Sequence, residues 1–187
     1  MAPPVKDRFC SYCGTAYAEP LTYPRTCVNP ACKVTVWANP IPVSVVLLPV
    51  RSEQGLGLLV VRRGIEPRKG TLALVGGFVE EQETWQVCGA REMFEEAGVT
   101  IDAAKLEPVW FTSTEPRPNR VLLFSVAPVL ERGSLPAFTP SAEAMERGLV
   151  FGSQGLEEVF AFPLHIRAAR NWLESQGLTG PHRFTQV

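Results

Sequence analysis

The sequence predicts an α/β fold, a sandwich of strands and helices, preceded by a small N-terminal unit. Runs of β-branched residues and leucine, bounded by proline or glycine, recur along the chain and indicate strands. Two longer segments are predicted helices. The opening residues differ, because they are poor in apolar side chains and contain four of the five cysteines. We therefore predict a small unit at 1–38 and a main domain at 39–187.

The N-terminal cysteines fall in two closely spaced pairs, Cys10 with Cys13 and Cys27 with Cys32. This spacing is typical of two knuckles that present four thiolates to zinc. A metal would supply the stability that so few apolar residues cannot. Two disulfides are an alternative, although no targeting signal indicates an oxidising compartment. A redox pair at Cys10 and Cys13 lacks the strand and helix expected around it.

The main domain begins with a strand bounded by prolines, and the turn at Ser52–Gly55 makes the next strand its hairpin partner. The predicted strands are Ile41–Val50, Gly55–Arg62, Thr71–Val75, Leu106–Thr114 and Val121–Pro128. The predicted helices are Trp85–Ala97 and an amphipathic Phe162–Gln176. The apolar runs Leu149–Phe151 and Val159–Ala161 are too short to assign.

Three carboxylates, Glu92, Glu95 and Glu96, share an arc of about 100° on the first helix. Like charges at this spacing destabilise a bare helix. A hard divalent cation, magnesium or manganese, would neutralise them. A solvated acidic surface helix is the alternative interpretation.

Three other residues complete this pattern. Arg91 can hold a carboxylate by a two-pronged hydrogen bond, with Glu83 as the obvious partner. Gly98 is a natural left-handed end for the helix. A solvated surface helix would leave Glu83 and Arg91, together with Gly77, unexplained.

The segment from Gly77 to Val99 resembles the Nudix box, G-x5-E-x7-R-E-U-x-E-E-x-G-U, where U is aliphatic. The matching residues are Gly77, Glu83, Arg91, Glu92, Met93, Glu95, Glu96, Gly98 and Val99. The resemblance implies an α/β/α sandwich over a mixed sheet. It also implies hydrolysis of a nucleoside diphosphate linked to another moiety, with Mg²⁺ or Mn²⁺ as cofactor.

The resemblance also implies roles for individual residues. Glu95 and Glu96 match the principal metal ligands, Glu92 a further ligand or base, and Glu83 a group that orients Arg91. The Gly77 carbonyl could be another ligand, since glycine lets the backbone approach a metal closely.

A further glutamate outside the box often binds metal or activates water in this family. Glu143 and Glu146 are the candidates here. A solvated loop carboxylate is the alternative for either of them.

The cysteine segment resembles the zinc-ribbon leader of some Nudix hydrolases, including NADH pyrophosphatases. Tyr23-Pro24-Arg25 and Trp37-Ala38-Asn39-Pro40 add to the likeness. We expect the ribbon to brace the domain or to support a homodimer. Nucleic-acid binding is not expected, because the ribbon's basic residues are few: Lys6, Arg8, Arg25 and Lys33.

The substrate is predicted from sparser signals. Arg62, Arg63 and Arg117 could contact phosphates, and Trp110 could stack a base, although surface arginines and core aromatics are common. NADH pyrophosphatases carry a Ser-Gln-Pro-Trp-Pro-Phe-Pro-like run where this chain has Thr112–Pro118. Zinc-ribbon Nudix enzymes of plants acting on ADP-ribose and FAD look more similar. We therefore expect an ADP-ribose, NADH or FAD type of substrate, cleaved into two monophosphates.

Net charge and the N-terminal sequence indicate the expected partners and location of the protein. A net charge of -1 gives no electrostatic case for membrane or general nucleic-acid binding. The N-terminus lacks an apolar signal region, so a cytoplasmic location is expected.

The alternative function is a catalytically weak Nudix-fold nucleotide sensor or regulator, whose ribbon binds nucleic acid or protein. Such relatives usually lose box carboxylates, and this chain keeps all of them.

Overall fold

The computed structural model describes residues 7–115 and 119–187. The chain divides into two compact units, Met1–Pro40 and Ile41–Val187. In the described residues, no helix combines the length and the apolar character that crossing a membrane requires.

The first unit contains a small antiparallel pair, β1 (Arg25–Thr26) and β2 (Thr35–Val36). Arg25 is buried beside it and donates hydrogen bonds to the carbonyls of Asp7, Thr22 and Leu21. Its guanidinium also lies 4.1 Å from the Tyr23 ring centroid. Arg25 is therefore part of this unit's small core and not of a basic surface. Lys6 lies outside the described residues.

The second unit contains two mixed sheets. Its strands are β3 (Ile41–Leu47), β4 (Pro49–Ser52), β5 (Gly55–Arg63), β6 (Leu72–Ala73), β7 (Val75–Phe78), β8 (Glu107–Ser113), β9 (Arg120–Val126), β10 (Leu130–Glu131), β11 (Ala144–Phe151) and β12 (Arg183–Gln186). One sheet has the order β10-β4-β5-β11-β12, with β6 also pairing with β5, and the other has the order β7-β3-β9-β8. The β3–β9 and β4–β10 pairs are parallel, and the other neighbouring strands are antiparallel.

Two α-helices cover the sheets, α1 (Trp85–Ala97) and α2 (Pro163–Ser175). Successive strand side chains point to opposite faces, so Val45 joins the core that includes α2 while Val46 joins the core that includes α1. Leu58 and Leu59 of β5 divide in the same way. Short 3-10 helices span Ala103–Lys105, Arg132–Ser134 and Leu156–Glu158. The predicted α/β fold with mixed sheets is confirmed.

The predicted strand Ile41–Val50 is wrong as one element, because the chain changes sheets between β3 and β4. Thr71–Val75 likewise divides into β6 and β7. The residues on both sides of each break are buried, so the hydrophobic pattern carried no sign of the break. The unassigned run Leu149–Phe151 is the end of β11.

Helix α1 has the bounds that the sequence predicts. The Thr84 hydroxyl accepts a hydrogen bond from the Val87 amide at its start, at 3.3 Å. Gly98 ends the helix with φ 69°, and its amide bonds back to carbonyls of the last turn. These two caps define the ends of the element that carries most of the candidate site.

Candidate active site

Arg91 is the centre of the acidic site. Its Nε and Nη2 donate to the two carboxylate oxygens of Glu83, at 3.2 and 2.7 Å. Its Nη1 donates to Glu92 Oε1 at 2.7 Å and to Glu95 Oε2 at 3.0 Å. The hydrogen bond from Arg91 lowers the pKa of Glu83 to about 2, so this carboxylate stays charged. One guanidinium thus fixes three box carboxylates.

The glycines before α1 bring the backbone against these carboxylates. A Cβ at Gly77 would lie 2.0 Å from Glu92 Oε1, so no side chain fits there while Glu92 keeps this position. The Gly76 amide donates to Glu96 Oε2 at 3.4 Å. The structure therefore places the glycine pair and two of the predicted ligands in contact.

Cys88 fixes the same loop from the helix side. Its thiol donates to the carbonyls of Gly77, at 3.6 Å, and Phe78, at 3.4 Å. Burial raises the pKa of this thiol to about 12, so it remains protonated at neutral pH. The Gly77 carbonyl, a predicted metal ligand, faces this thiol.

Two of the box carboxylates hold protons more tightly than usual. Burial, followed by the charges of Glu92 and Glu143, raises the pKa of Glu96 to about 7. The hydrogen bond from the Gly76 amide and the charge of Arg63 oppose this shift. Burial also raises the pKa of Glu92, with Glu95 and Glu143 adding to the shift. Carboxylates in this condition are the donors that a hard divalent cation neutralises. The donor set therefore fits Mg²⁺ or Mn²⁺.

The structure separates the two candidates outside the box. Glu143 acts electrostatically on the buried box carboxylates, as described above. Its carbonyl accepts a 2.6 Å hydrogen bond from the Gly64 amide, and a Cβ at Gly64 would lie only 2.1 Å from the Ala142 carbonyl oxygen. Glu146 instead forms a 2.5 Å ion pair with Arg62. Glu143, and not Glu146, is therefore the glutamate whose charge acts on the box.

The predicted phosphate-binding arginines differ in the contacts that they already make within the protein. Arg62 is held by its ion pair and by the Gly70 carbonyl at 3.0 Å. Arg63 donates to the Pro67 carbonyl at 3.0 Å and lies 4.9 Å from the Phe162 ring centroid. It is also the arginine whose charge acts on Glu96. Arg117 lies outside the described residues.

Trp110 is already packed against two groups. It stacks on Phe124 with a centroid distance of 5.1 Å and an interplanar angle of 18°. The Arg167 guanidinium lies 4.6 Å from its ring centroid. A base could stack on Trp110 only where these contacts leave the ring accessible.

The four N-terminal cysteines form a compact cluster whose sulfur atoms all lie within 4.8 Å of one another. Cys10 and Cys32 are 3.8 Å apart, and Cys13 and Cys27 are 3.5 Å apart. Zinc–sulfur bonds of about 2.3 Å in a tetrahedron require sulfur atoms roughly 3.8 Å apart, whereas a disulfide requires about 2.05 Å. All five cysteines are free in the structure. The geometry fits zinc.

The charges of the cluster lead to the same conclusion. Hydrogen bonding to Thr15 lowers the pKa of Cys13 to about 6. The pKa of Cys27 rises to about 12: the Asn29 backbone lowers it, but burial and the other three thiols outweigh that effect. Four thiolates this close together are stable only with a cation among them. In the described part of the chain, this is the one group of three or more potential metal ligands that is already so closely assembled.

Comparison with known proteins decides the family. The NUDIX domain model matches residues 40–149, more than half of the chain. The chain belongs to the Nudix family. Its box, Gly77–Val99, lies within the matched residues, and by class the protein is a Nudix pyrophosphatase. A search of curated proteins finds no significant match.

Solved structures show the same fold. A NUDIX hydrolase from Nitrosomonas europaea matches this Nudix chain with a TM-score of 0.65 and 25% identity, over 93% of this chain and 94% of that chain. The NUDIX domain of Shewanella oneidensis NrtR, complexed with ADP ribose, matches at 0.61 and 17%, over 75% and 90%. A bifunctional NMN adenylyltransferase/ADP ribose pyrophosphatase from Francisella tularensis, complexed with AMP and manganese, matches at 0.57 and 20%, over 73% and 42%.

Two residues at the site of this Nudix protein were not predicted. Gly64 holds the segment that carries Glu143. The Arg120 guanidinium lies 5.0 Å from the Phe78 ring centroid, beside the start of the box. Neither residue falls in a motif, and a lone arginine or glycine at a strand end carries no functional signal of its own.

Proposed function

We propose that this protein is a divalent-metal-dependent pyrophosphohydrolase that cleaves an ADP-linked substrate of the ADP-ribose, NADH or FAD type into two monophosphates. One observation carries the proposal. Arg91 holds Glu83, Glu92 and Glu95 together. A further carboxylate, Glu96, is held at the Gly76 amide.

In this proposal Glu92, Glu95 and Glu96 hold Mg²⁺ or Mn²⁺, with the Gly77 carbonyl as a further ligand. When bound, the ion supplies charge neutralisation at the phosphoryl oxygens and lowers the pKa of a bound water. Glu83 and Arg91 keep the carboxylates in place. Because burial raises the pKa of Glu92, its carboxylate is a stronger base than an exposed glutamate and is suited to accept a proton.

Glu143 is the proposed additional base or ligand, in preference to Glu146. Its charge acts on Glu92 and Glu96, while Glu146 is neutralised by Arg62. Arg63 is the arginine proposed to bind a substrate phosphate. Its positive charge lowers the pKa of Glu96, which indicates that it lies near the proposed metal ligands.

An ADP-linked substrate is supported by the relatives. The NrtR domain is complexed with ADP ribose, and the Francisella protein is an ADP ribose pyrophosphatase. Because the identity to these relatives is low, the comparison supports a shared fold and does not by itself select a substrate. The choice of an ADP-linked substrate therefore also depends on the sequence of residues 112–118.

For the N-terminal unit we propose a structural zinc ribbon at 1–38, ahead of a Nudix domain at 39–187. The thiol spacing supports zinc. The burial of Arg25 is one reason to propose a bracing or homodimer role for the ribbon and not nucleic-acid binding. A cytoplasmic location belongs to the same proposal.

The test is hydrolysis of a substrate panel with Mg²⁺ or Mn²⁺. The panel contains ADP-ribose, NADH, FAD, a diadenosine polyphosphate and nucleoside triphosphates, with products identified by chromatography. We expect ADP-ribose or another ADP-linked compound to be cleaved selectively to two monophosphates. No turnover by folded protein that binds the metal would overturn the proposal and favour the nucleotide sensor.

A further inference from the structure

Phe78 carries a half-exposed aromatic ring beside the acidic site. It is the last residue of β7, the edge strand of its sheet, and 48% of its surface is exposed. Its carbonyl accepts hydrogen bonds from Arg91 Nη2, at 3.1 Å, and from the Cys88 thiol, at 3.4 Å. The backbone that carries the ring is therefore held by the same arginine that fixes the box carboxylates.

The ring lies on the face of the sheet that packs toward α2. Phe78 is directly opposite Val43 in the strand register, and Val43 packs against the core that includes α2. Gly76, whose amide holds Glu96, is two positions before Phe78, which is about 7 Å along a strand. A substrate whose diphosphate is bound near Glu96 can therefore reach the ring along β7.

Arg120 brings unpaired hydrogen-bond donors to the same ring. It is opposite Ile41, two positions before Val43 on β3, and so it shares the face that carries Phe78. Its guanidinium lies 5.0 Å from the Phe78 ring centroid. Its Nε–H group is buried and has no partner, whereas its two Nη groups are not buried. Among the described residues, none forms an ion pair with Arg120.

The packing of Arg120 on Phe78 explains their contact, but it leaves the exposed part of the ring and the Nη groups without a partner. A planar heterocycle with acceptor nitrogens suits both features. Bases stack on phenylalanine rings, and a guanidinium presents N–H donors in a fixed planar fork. Adenine is such a ring, and it is common to ADP-ribose, NADH and FAD.

We propose that Phe78 and Arg120 form the subsite for the adenine ring of the substrate. Phe78 provides the stacking surface, and the Nη groups of Arg120 donate to a ring nitrogen. The inference rests on the proposed function, because it places the diphosphate at the acidic site. Both residues determine specificity by binding the group beyond the diphosphate, and they take no part in cleaving the phosphoanhydride bond.

The test is calorimetric titration of the full chain with AMP and, separately, with ribose 5-phosphate, which lacks the base. Mg²⁺ is present in both titrations. We expect one equivalent of AMP to bind, at least tenfold more tightly than ribose 5-phosphate. Phe78→Leu and Arg120→Met should each weaken AMP binding by about tenfold, the effect of losing a base stack or a hydrogen bond to a charged group. Neither variant should change the affinity for ribose 5-phosphate by more than about twofold.

Matched variants separate the subsite from general effects on the fold. Phe78→Trp should retain AMP binding, because an indole also stacks on adenine. Phe94→Leu changes another exposed phenylalanine, on α1, and Arg132→Met changes another arginine, on a 3-10 helix. Both of these variants should bind AMP as the unaltered chain does.

Turnover then distinguishes this inference from the proposed function. For ADP-ribose, Phe78→Leu and Arg120→Met should raise KM by about tenfold and change kcat by less than about threefold. Unchanged AMP binding and KM in both variants would overturn the subsite and leave the proposed hydrolysis intact. Failure of the unaltered chain to bind AMP would also overturn the subsite. AMP binding that depends on both residues, in a chain without turnover, would support the subsite and overturn only the proposed hydrolysis.

Discussion

The cysteine cluster and the carboxylate cluster are both sets of candidate metal ligands, but only the cysteines already lie together in the geometry that an ion requires. All four sulfur atoms already lie within 4.8 Å of one another. The carboxylates are instead held in place by Arg91 and by the Gly76 amide. The first arrangement suits a permanent ion that completes a fold. The second leaves carboxylate oxygens for an ion that arrives with substrate phosphates.

The pKa shifts in the two clusters also indicate that the cysteines need a bound cation more than the carboxylates do. The pKa of Cys13 is low while that of Cys27 is high, which leaves no stable fully ionised state without a cation. In the acidic site, Arg91 already supplies one positive charge, and burial shifts Glu92 and Glu96 toward their neutral forms. Loss of metal should therefore unfold the first region but only inactivate the second.

The largest expected effect is loss of zinc from the cysteine cluster. Cys27→Ser should reduce the zinc content and unfold the first unit, because structural zinc contributes on the order of 10 kcal/mol to small domains. Cys88→Ala, outside the cluster, is the control and should retain one zinc per chain. Zinc content is measured by atomic absorption, and amide hydrogen exchange over residues 9–36 reports folding. Unchanged zinc content and exchange protection in Cys27→Ser would contradict the comparison.

The next effect is loss of turnover from the acidic site without loss of fold. Glu96→Gln should lower kcat by about 10³-fold, since it removes a charged group from the reacting centre. Circular dichroism should remain unchanged, in contrast to the cysteine variant. Glu158→Gln, at an exposed position, is the matched control. Turnover of Glu96→Gln near the unaltered rate would show that this carboxylate is not a metal ligand.

A smaller effect should distinguish the two glutamates outside the box. Glu143→Gln should reduce kcat by about 10²-fold, the lower range for a group that transfers a proton. Glu146→Gln should change kcat less than about threefold, because it removes only a partly exposed ion pair with Arg62. Manganese affinity, measured by electron paramagnetic resonance, provides a second comparison. The reverse ranking would transfer the proposed role to Glu146.

Contacts between residues that are close in the sequence could be predicted, and contacts between distant residues could not. Each cysteine pair, the Arg91–Glu83 bond and the two caps of α1 join residues that are at most eight positions apart in the sequence, so their spacing predicts them. The position of Glu143 depends instead on contact with Gly64, which is distant in sequence. Arg147 likewise meets Ala97 only in the folded chain. Such contacts form between elements whose pairing no local pattern specifies.

The smallest predicted effect is a pH-dependent cost of the acidic site in the absence of metal. The unfolded chain loses the Glu96 proton near the ordinary pKa of 4.5, while the folded chain holds it until about pH 7. A raised folded pKa adds stability that is fully present below 4.5 and is lost as the pH rises to 7. The shift from 4.5 to 7 corresponds to about 3.4 kcal/mol, and solvent screening of the partly buried Glu96 reduces this value. At pH 8 without divalent ion, Glu96→Gln should therefore raise the free energy of urea unfolding by about 2 kcal/mol. The gain should vanish at pH 4.5, and Mg²⁺ should stabilise the unaltered protein but not the variant. A gain that was equal at both pH values would show that the cost of burying Glu96 does not come from its charge.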